Sequence, residues 1–492
     1  MLFPIIACSD TEKPSDSKKP AVTTKAPDGT TIYYEPDELP ELDFDGRTVT
    51  ILSKSKSQAS DAVSDDDNYR EEISVEELSS DIIDDSIYNR ELFVEDRLNV
   101  EINNVKVDTL GEEILKMYNT GDDTYDAFVE ANHAISKYAF DDYLINLNEV
   151  ENLDLDKPWW SQKFNEEAEM FDQLYLTTGS LFLSLARNTY AVYFNKGLIE
   201  DYKDSNPELT QLYSLVDEGK WTFDKFVEIG GEIYRDINGN SQRDLEDIYG
   251  IAYAAYIPID AIWSGFDIDI LTKTNDGWYD FDMNTDKLYT ALDKLYALLL
   301  DNVGSITANV KNSDGTVYDI DDIDTYFANG TNMFLVAGIG CAENHNLRNM
   351  QDDYGILPFP KYDEAQKEYY SYSHDTFSAV VIPVTNSEPG VVGAVLEAMA
   401  SYSYRETMPA YLDTVLKGQY MSDADSRRMV DIVIDGFMVD AAWIYLGTLG
   451  CTYTHTFRYM VQDGDRSFAA AHEGKKKSVE TVLKVYKRQM EE

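Results

Sequence analysis

The stretch "DINGNSQRDLED" at residues 236–247 places oxygen-bearing groups at loop positions 1, 3, 5, 9 and 12: Asp236, Asn238, Asn240, Asp244 and Asp247. A hard cation such as Ca2+ takes six or seven oxygens, and a tight turn must fold them around it, with the backbone carbonyl of Gln242 as a further donor. Gly239 supplies the turn glycine, Ser241 takes the usual glycine position, and Asp247 stands where an EF-hand loop carries a bidentate Glu. The same pattern also describes an Asx-rich surface turn, because Asn and Asp bond their own backbone two residues on. The expected role of a bound Ca2+ is structural.

A second spacing involves thiols. Cys341 and His345 stand four apart in "CAENH", as do Cys451 and His455 in "CTYTH". Two such pairs are compatible with a tetrahedral zinc site, with a disulfide, or with two unrelated buried thiols.

Covalent chemistry has little to stand on. The chain contains no G-x-S-x-G, H-E-x-x-H, Walker loop or G-x-G-x-x-G motif, and its five histidines fit no Ser or Cys nucleophile arrangement. Carboxylates are abundant enough that a glycosidase pair could be drawn almost anywhere, but such a pair is defined by its separation in space. The expectation is a binding protein that breaks no bond. A surface glycoside hydrolase and a calcium-dependent adhesin or scaffold stand as the competing readings.

The balance of 91 Asp and Glu against 41 Lys and Arg gives a formal charge of -50, a field that repels nucleic acid and anionic membrane surfaces. Sugars present apolar C–H faces and hydroxyl rims, so 35 Tyr, 20 Phe and 6 Trp beside many polar groups suit a carbohydrate cleft.

The elements that must hold such a cleft show in the periodicity. "RTVTILS" at 47–53 alternates like a strand, and in "DDSIYNRELFVEDRLNVEI" the pairs Tyr88/Leu92 and Val94/Leu98 predict an apolar helical face. A second helix is expected to stop near Gly121, before a buried strand over 127–129. Repeated strand–helix–strand units predict an α/β fold with mostly parallel sheets, whose ligands sit beyond the strands' carboxyl ends. Glu130, Asn132 and His133 lie at such an end.

Four segments, "VYFNKGLIEDY" (192–202), "GKWTFDKFVEIGGEIY" (219–234), "YFANGTNMFLVAGI" (326–339) and "DDYGILPFPKYDEAQKEYYSYS" (352–373), resemble stretches recurring in this order in extracellular solute-binding proteins of the maltose-binding-protein class. The resemblance spans most of residues 46–490 and implies two α/β lobes joined by crossing segments, with the ligand between them. It implies crossings near 182–190 and 354–360, lobe one over 46–185 plus 355–410, and lobe two over 186–354 plus 411–492. It further implies a monomer that hands its solute to the membrane permease of an ABC importer. The cleft is then expected from Glu130, Asn132 and His133, with Arg187 at the crossing and His374 and Asp375 on the returning segment. Trp263 and Trp443, in Pro/Gly-bounded or turn-like stretches, are expected to face them from lobe two.

Residues 1–8, "MLFPIIAC", end like a shortened lipoprotein signal, which makes Cys8 the expected lipidation site and places the protein on the outer face of a Gram-positive cell membrane. Residues 9–45 lack apolar periodicity and read as a disordered tether spanning roughly 30 Å.

Overall fold

The computed structural model describes residues 22–25, 31–55, 70–254, 257–308 and 323–491. Cys8 and tether residues 9–21 and 26–30 lie outside them. Among the described residues no helix is long and apolar enough to cross a membrane.

Lobe one begins with β1 (Arg47–Lys54), α1 (Ile82–Leu98), β2 (Val100–Val107), α2 (Leu110–Thr120) and β3 (Ala127–Ala131). Asp81 caps α1 by accepting from the Ile83 and Asp84 amides at 2.8 and 3.1 Å, and Asn99 closes it in the left-handed region at φ 48°. The helix α2 stops where the sequence predicts, since Gly121 caps it at φ 66°. The buried face of α1 matches the expected one in part: Val94 and Leu98 are buried, together with Ile83, Ile87 and Arg90, while Leu92 is exposed. Arg90 interrupts the apolar stripe in sequence but not in space. Its guanidinium is buried and donates to Ser403 Oγ at 2.8 Å and to the Ile73 carbonyl at 2.9 Å.

The chain leaves lobe one through α3 (Leu183–Arg187) and enters a second sheet. Its members are β4 (Tyr190–Asn195), β5 (Ile248–Ala254), β6 (Ser305–Ala308), β7 (Asn332–Gly338) and β8 (Tyr354–Pro358), with Tyr234–Arg235 as a short addition beside β5. Between them run α4 (Ile257–Gly265) and α5 (Thr285–Leu299). The sheet order is β6-β5-β7-β4-β8; β5 pairs in parallel with β6 and β7, and β4 pairs antiparallel with β7 and β8. The described parts of β4, β7 and β8 are buried throughout, as unbroken apolar strands are when both faces are covered.

The return to lobe one comes with β9 (Ser378–Val381), completing a sheet of order β9-β3-β1-β2, parallel except for the β9/β3 ladder. The architecture is therefore α/β with two sheets, mostly parallel in lobe one and mixed in lobe two. One boundary is corrected. "YGILPFP" is not a crossing, because β8 pairs with β4 along its whole length inside the second sheet. The second crossing lies later, over residues 372–378, where it runs beside the first. The Tyr190 amide donates to the Tyr372 carbonyl at 2.9 Å, the His374 amide to the Asn188 carbonyl at 3.0 Å, and the Ser378 amide to Ser184 Oγ at 2.9 Å.

After α6 (Pro389–Tyr402), packed in lobe one, a third crossing follows. Residues Ser403–Thr407 and Ala410–Tyr420 wind with i→i+5 hydrogen bonds, an underwound helix whose Tyr411 and Val415 pack on Ile83, Ile87, Leu183 and Ala186. The chain ends in lobe two with α7 (Ala424–Asp435), α8 (Ala441–Ile444), α9 (Cys451–Asp463) and α10 (Phe468–Glu491). The segment ahead of β1 is strapped to lobe one: Tyr34 meets the Tyr404 ring edge-on at 5.8 Å, Lys157 pairs with Glu35 at 2.8 Å, and Arg97 grips Asp37.

Candidate functional site

At the carboxyl ends of β1 and β3, side chains of opposite charge face one another. Lys54 Nζ lies 3.3 Å from Glu130 Oε1, which also accepts the Ala131 amide at 2.9 Å. Beside them Ser53 Oγ donates to Asn104 Oδ1 at 2.7 Å. Glu72 reaches in from the other side, accepting the Ser184 amide at 2.6 Å and Ser378 Oγ at 2.5 Å. These groups, with Thr376 and the two arginines Arg70 and Arg187, enclose an open pocket with about 80 Å³ of room at the junction of lobe one and the crossings. Both donors and acceptors line it. Among the described residues none of its lining side chains is aromatic.

The pocket's inner wall is a charge network. Arg187 is buried and its Nε donates to Glu343 Oε1 at 2.9 Å, while Arg70 Nε donates to Glu343 Oε2 at 2.9 Å and Tyr411 donates to Oε1 at 2.9 Å. Burial alone would raise the Glu343 pKa; Arg187 and Arg70 outweigh it and hold the carboxyl below the usual range. Arg187, expected at the cleft, lines the pocket, and its Nε is held by a lobe-two carboxylate.

The other strand-end residues form an adjacent polar group. The Asn132 amide donates to the Phe377 carbonyl at 2.8 Å, and its Nδ2 donates to the Ile444 carbonyl at 3.1 Å, joining the end of β3 to α8. His133 Nδ1 lies 3.2 Å from the Asp375 carbonyl oxygen, and Asp375 Oδ1 lies 3.2 Å from His374 Nδ1. His374 Nδ1 also sits 3.1 Å from Thr376 Oγ1, which links this group to the pocket. Across the junction, Arg458 Nε donates to Asp260 Oδ1 at 3.0 Å. Burial pushes the Asp260 carboxyl up, Arg458 draws it back, and the charge of Asp375 adds a smaller upward push. The structure thus brings together Asn132, His133, His374 and Asp375, and places Glu130 and Arg187 at the pocket next to them.

The two tryptophans do not form a platform. Trp263 is 1 % exposed and packs on α9, its ring 6.1 Å from that of Phe457 and 6.4 Å from that of Tyr453. Pro258 does not make its surroundings irregular, because proline is tolerated in the first turn of a helix and α4 starts at Ile257. Trp443, also 1 % exposed, sits in α8, which Asp440 caps through the Ala442 amide at 2.6 Å. Its ring meets Tyr372 at 5.1 Å, edge to face. Both are core residues in this structure. Lys54 could have been found by the strand-end rule alone; Arg70, Glu72 and Glu343 carry no local signal.

The 236–247 loop coils through two left-handed residues, Gly239 at φ 73° and Ser241 at φ 58°. Asp236 accepts the Gly239 and Ser241 amides at 2.6 and 2.8 Å, Asn238 accepts the Asn240 amide at 3.0 Å, and Asn240 accepts the Gln242 amide at 2.6 Å. Asp244 receives Asn240 Nδ2 at 2.6 Å and Asn238 Nδ2 at 3.0 Å, bonds that lower its pKa. Asp247 is buried and accepts the Tyr234 hydroxyl at 2.9 Å. Among the described residues no group of three or more His, Cys, Asp or Glu stands close enough to share a metal ion. A cation here would have to displace the two amide bonds to Asp244. Cys341 is buried with Asn344 Nδ2 3.7 Å from its Sγ, His345 is exposed, and the Cys451 side chain lies outside the described part.

No family model and no curated protein matches the sequence. Among solved structures, the sugar-binding protein MalE of Xanthomonas citri matches with a TM-score of 0.57 at 11% identity, over 90% of this chain and 99% of that one. RafE of Streptococcus pneumoniae matches at 0.52 and 14% identity, over 89% and 98% of the two chains. The GacH receptor of Streptomyces glaucescens, solved unliganded and with acarbose, matches at 0.51 and 14% identity, over 89% and 99%. The fold is that of two-lobe solute-binding proteins along nearly its whole length.

Proposed function

We propose that this chain is the extracytoplasmic receptor of an ATP-driven importer, capturing a carbohydrate or oligosaccharide between its lobes and delivering it to a membrane permease. The observation that carries the reading is the pocket lined by both donors and acceptors, built at the carboxyl ends of β1 and β3 and floored by the crossings. Hydroxyl groups both donate and accept, so a wall holding Lys54 and Glu130 side by side suits a neutral polyol. Pocket residues come from lobe one and from the crossings, so a filled pocket has leverage on the lobes' relative position. The likeness to sugar-binding proteins of known structure supports the class of solute. Lipidation at Cys8, a structural Ca2+ in the 236–247 loop and a monomeric state belong to the same proposal.

The test is a thermal-shift screen of the purified chain against a library of mono- and oligosaccharides, followed by calorimetry. A solute that binds only the native state raises the melting temperature by an amount set by its concentration over Kd. At least one sugar should do so and be recovered unchanged. A library without a single shift would refute the carbohydrate reading, and recovery of a cleaved sugar would favour the hydrolase.

A further inference from the structure

A buried carboxylate must be matched by donors, and those of Glu343 come from three separate parts of the chain. Glu343 ends the short turn after β7 and is 2 % exposed. Arg187 closes α3 on the first crossing. Arg70 lies in lobe one ahead of α1, where it also holds the capping residue Asp81 at 3.0 Å. Tyr411 stands in the underwound helix of the third crossing, between Ile83 and Leu183 in the packing. Underwound turns recur at functional sites, where one extra residue per hydrogen-bonded ring lets a helix change register locally. The two arginines have a second face, because both line the pocket. One lobe-two carboxylate therefore stands behind a lobe-one pocket and touches two of the three connections between the lobes.

We propose that Glu343 is the pin of the hinge: it ties the first and third crossings to one point and positions Arg70 and Arg187 behind the pocket. The tie stands on the geometry alone, and its effect on affinity rests on the receptor reading. Without the carboxylate, the two guanidinium groups would lose the one acceptor they share, while Arg70 keeps Asp81.

The experiment is hydrogen exchange, read by mass spectrometry on the full chain without solute, for the parent, Glu343→Gln, Glu343→Asp and the double variant Glu343→Gln/Arg187→Gln. Glu343→Gln keeps the shape, removes the charge and turns one acceptor oxygen into a donor NH2. Peptides covering 183–189 and 403–420 should exchange at least tenfold faster, while the strands of both sheets keep their protection. Glu343→Asp should restore part of the protection, and the double variant should recover relative to Glu343→Gln because one of the two cations that shared the carboxylate is gone. Calorimetry with maltotetraose as the probe forms a second arm, in which Glu343→Gln should weaken binding at least tenfold where the parent binds. Unchanged exchange in the crossings would overturn the proposal. So would acceleration spread evenly over the chain without recovery in the double variant, which would make Glu343 an ordinary stabilising residue. A parent that ignores maltotetraose bears on the solute class, and the exchange data still decide the pin.

Discussion

Glu397 offers a sharp test of the physical reading of lobe one. Its carboxyl is on α6, 1 % exposed, with Oε2 accepting Trp160 Nε1 at 3.0 Å and the Asp154 amide at 3.3 Å, and with no hydrogen-bond partner for Oε1 among the described residues. Burial pushes its pKa from an ordinary 4.5 up to about 7, against the opposing pull of the Trp160 bond. A carboxyl whose folded pKa lies above its unfolded one binds more protons when folded across that interval. Its stabilising contribution is therefore complete below 4.5 and is lost as pH rises through about 7. A shift of this size corresponds to about 3 kcal/mol between the two ends of the window. Glu397→Gln places a neutral amide of the same shape in the site, so the variant should match the parent near pH 5 and exceed its stability by up to about 3 kcal/mol at pH 8. Urea unfolding followed by circular dichroism at pH 5, 6, 7 and 8 measures this. Glu91 and Glu167 are also raised to about 7, so the parent's own slope has several sources, whereas the difference between parent and variant isolates Glu397. A difference that stays constant from pH 5 to 8 would refute the argument.

Glu130→Ala strands Lys54 in the pocket, and its affinity for whichever sugar the screen identifies should fall by at least tenfold, about 1.4 kcal/mol, in calorimetry; an unchanged Kd would remove Glu130 from the site. Trp443→Ala should lower stability by about 3–5 kcal/mol, because a buried indole is lost from the core; a variant with the parent's melting temperature and weakened sugar binding would instead restore Trp443 as a ligand residue. Calcium should raise the melting temperature of the parent but not of Asp236→Ala, and equal melting curves of the parent with calcium and with chelator would dismiss the ion. Labelling cells with a fatty-acid analogue should mark the protein only while Cys8 is present, so equal labelling of Cys8→Ser would end the anchor assignment.

Lobe one was readable where its signals are local. The strand over 47–53, the stop at Gly121 and the strand over 127–129 are signalled by patterns only a few residues long, and each element is found. The stripe on α1 was misread because Arg90, a charge in sequence, behaves as a buried member of the face once Ser403 and the Ile73 carbonyl satisfy it. "YGILPFP" was misassigned for a related reason: an apolar run of five residues reads alike as a link or as an inner strand, and only β4 decides. Trp263 and Trp443 show that Pro or a turn-like neighbourhood says nothing of which way a ring points. The Glu343 network was out of reach altogether, since its partners lie 156 and 273 residues away along the chain.

The strap formed by Tyr34, Glu35 and Asp37 sets how force would run through the molecule. It engages Lys157 and Arg97 on lobe one and Tyr404 at the start of the third crossing. A pull applied upstream of Tyr34 would thereby be delivered to lobe one and to the start of the third crossing, and would bypass the first two crossings. A tether attached there would hold lobe one as the frame and leave the first two crossings unloaded.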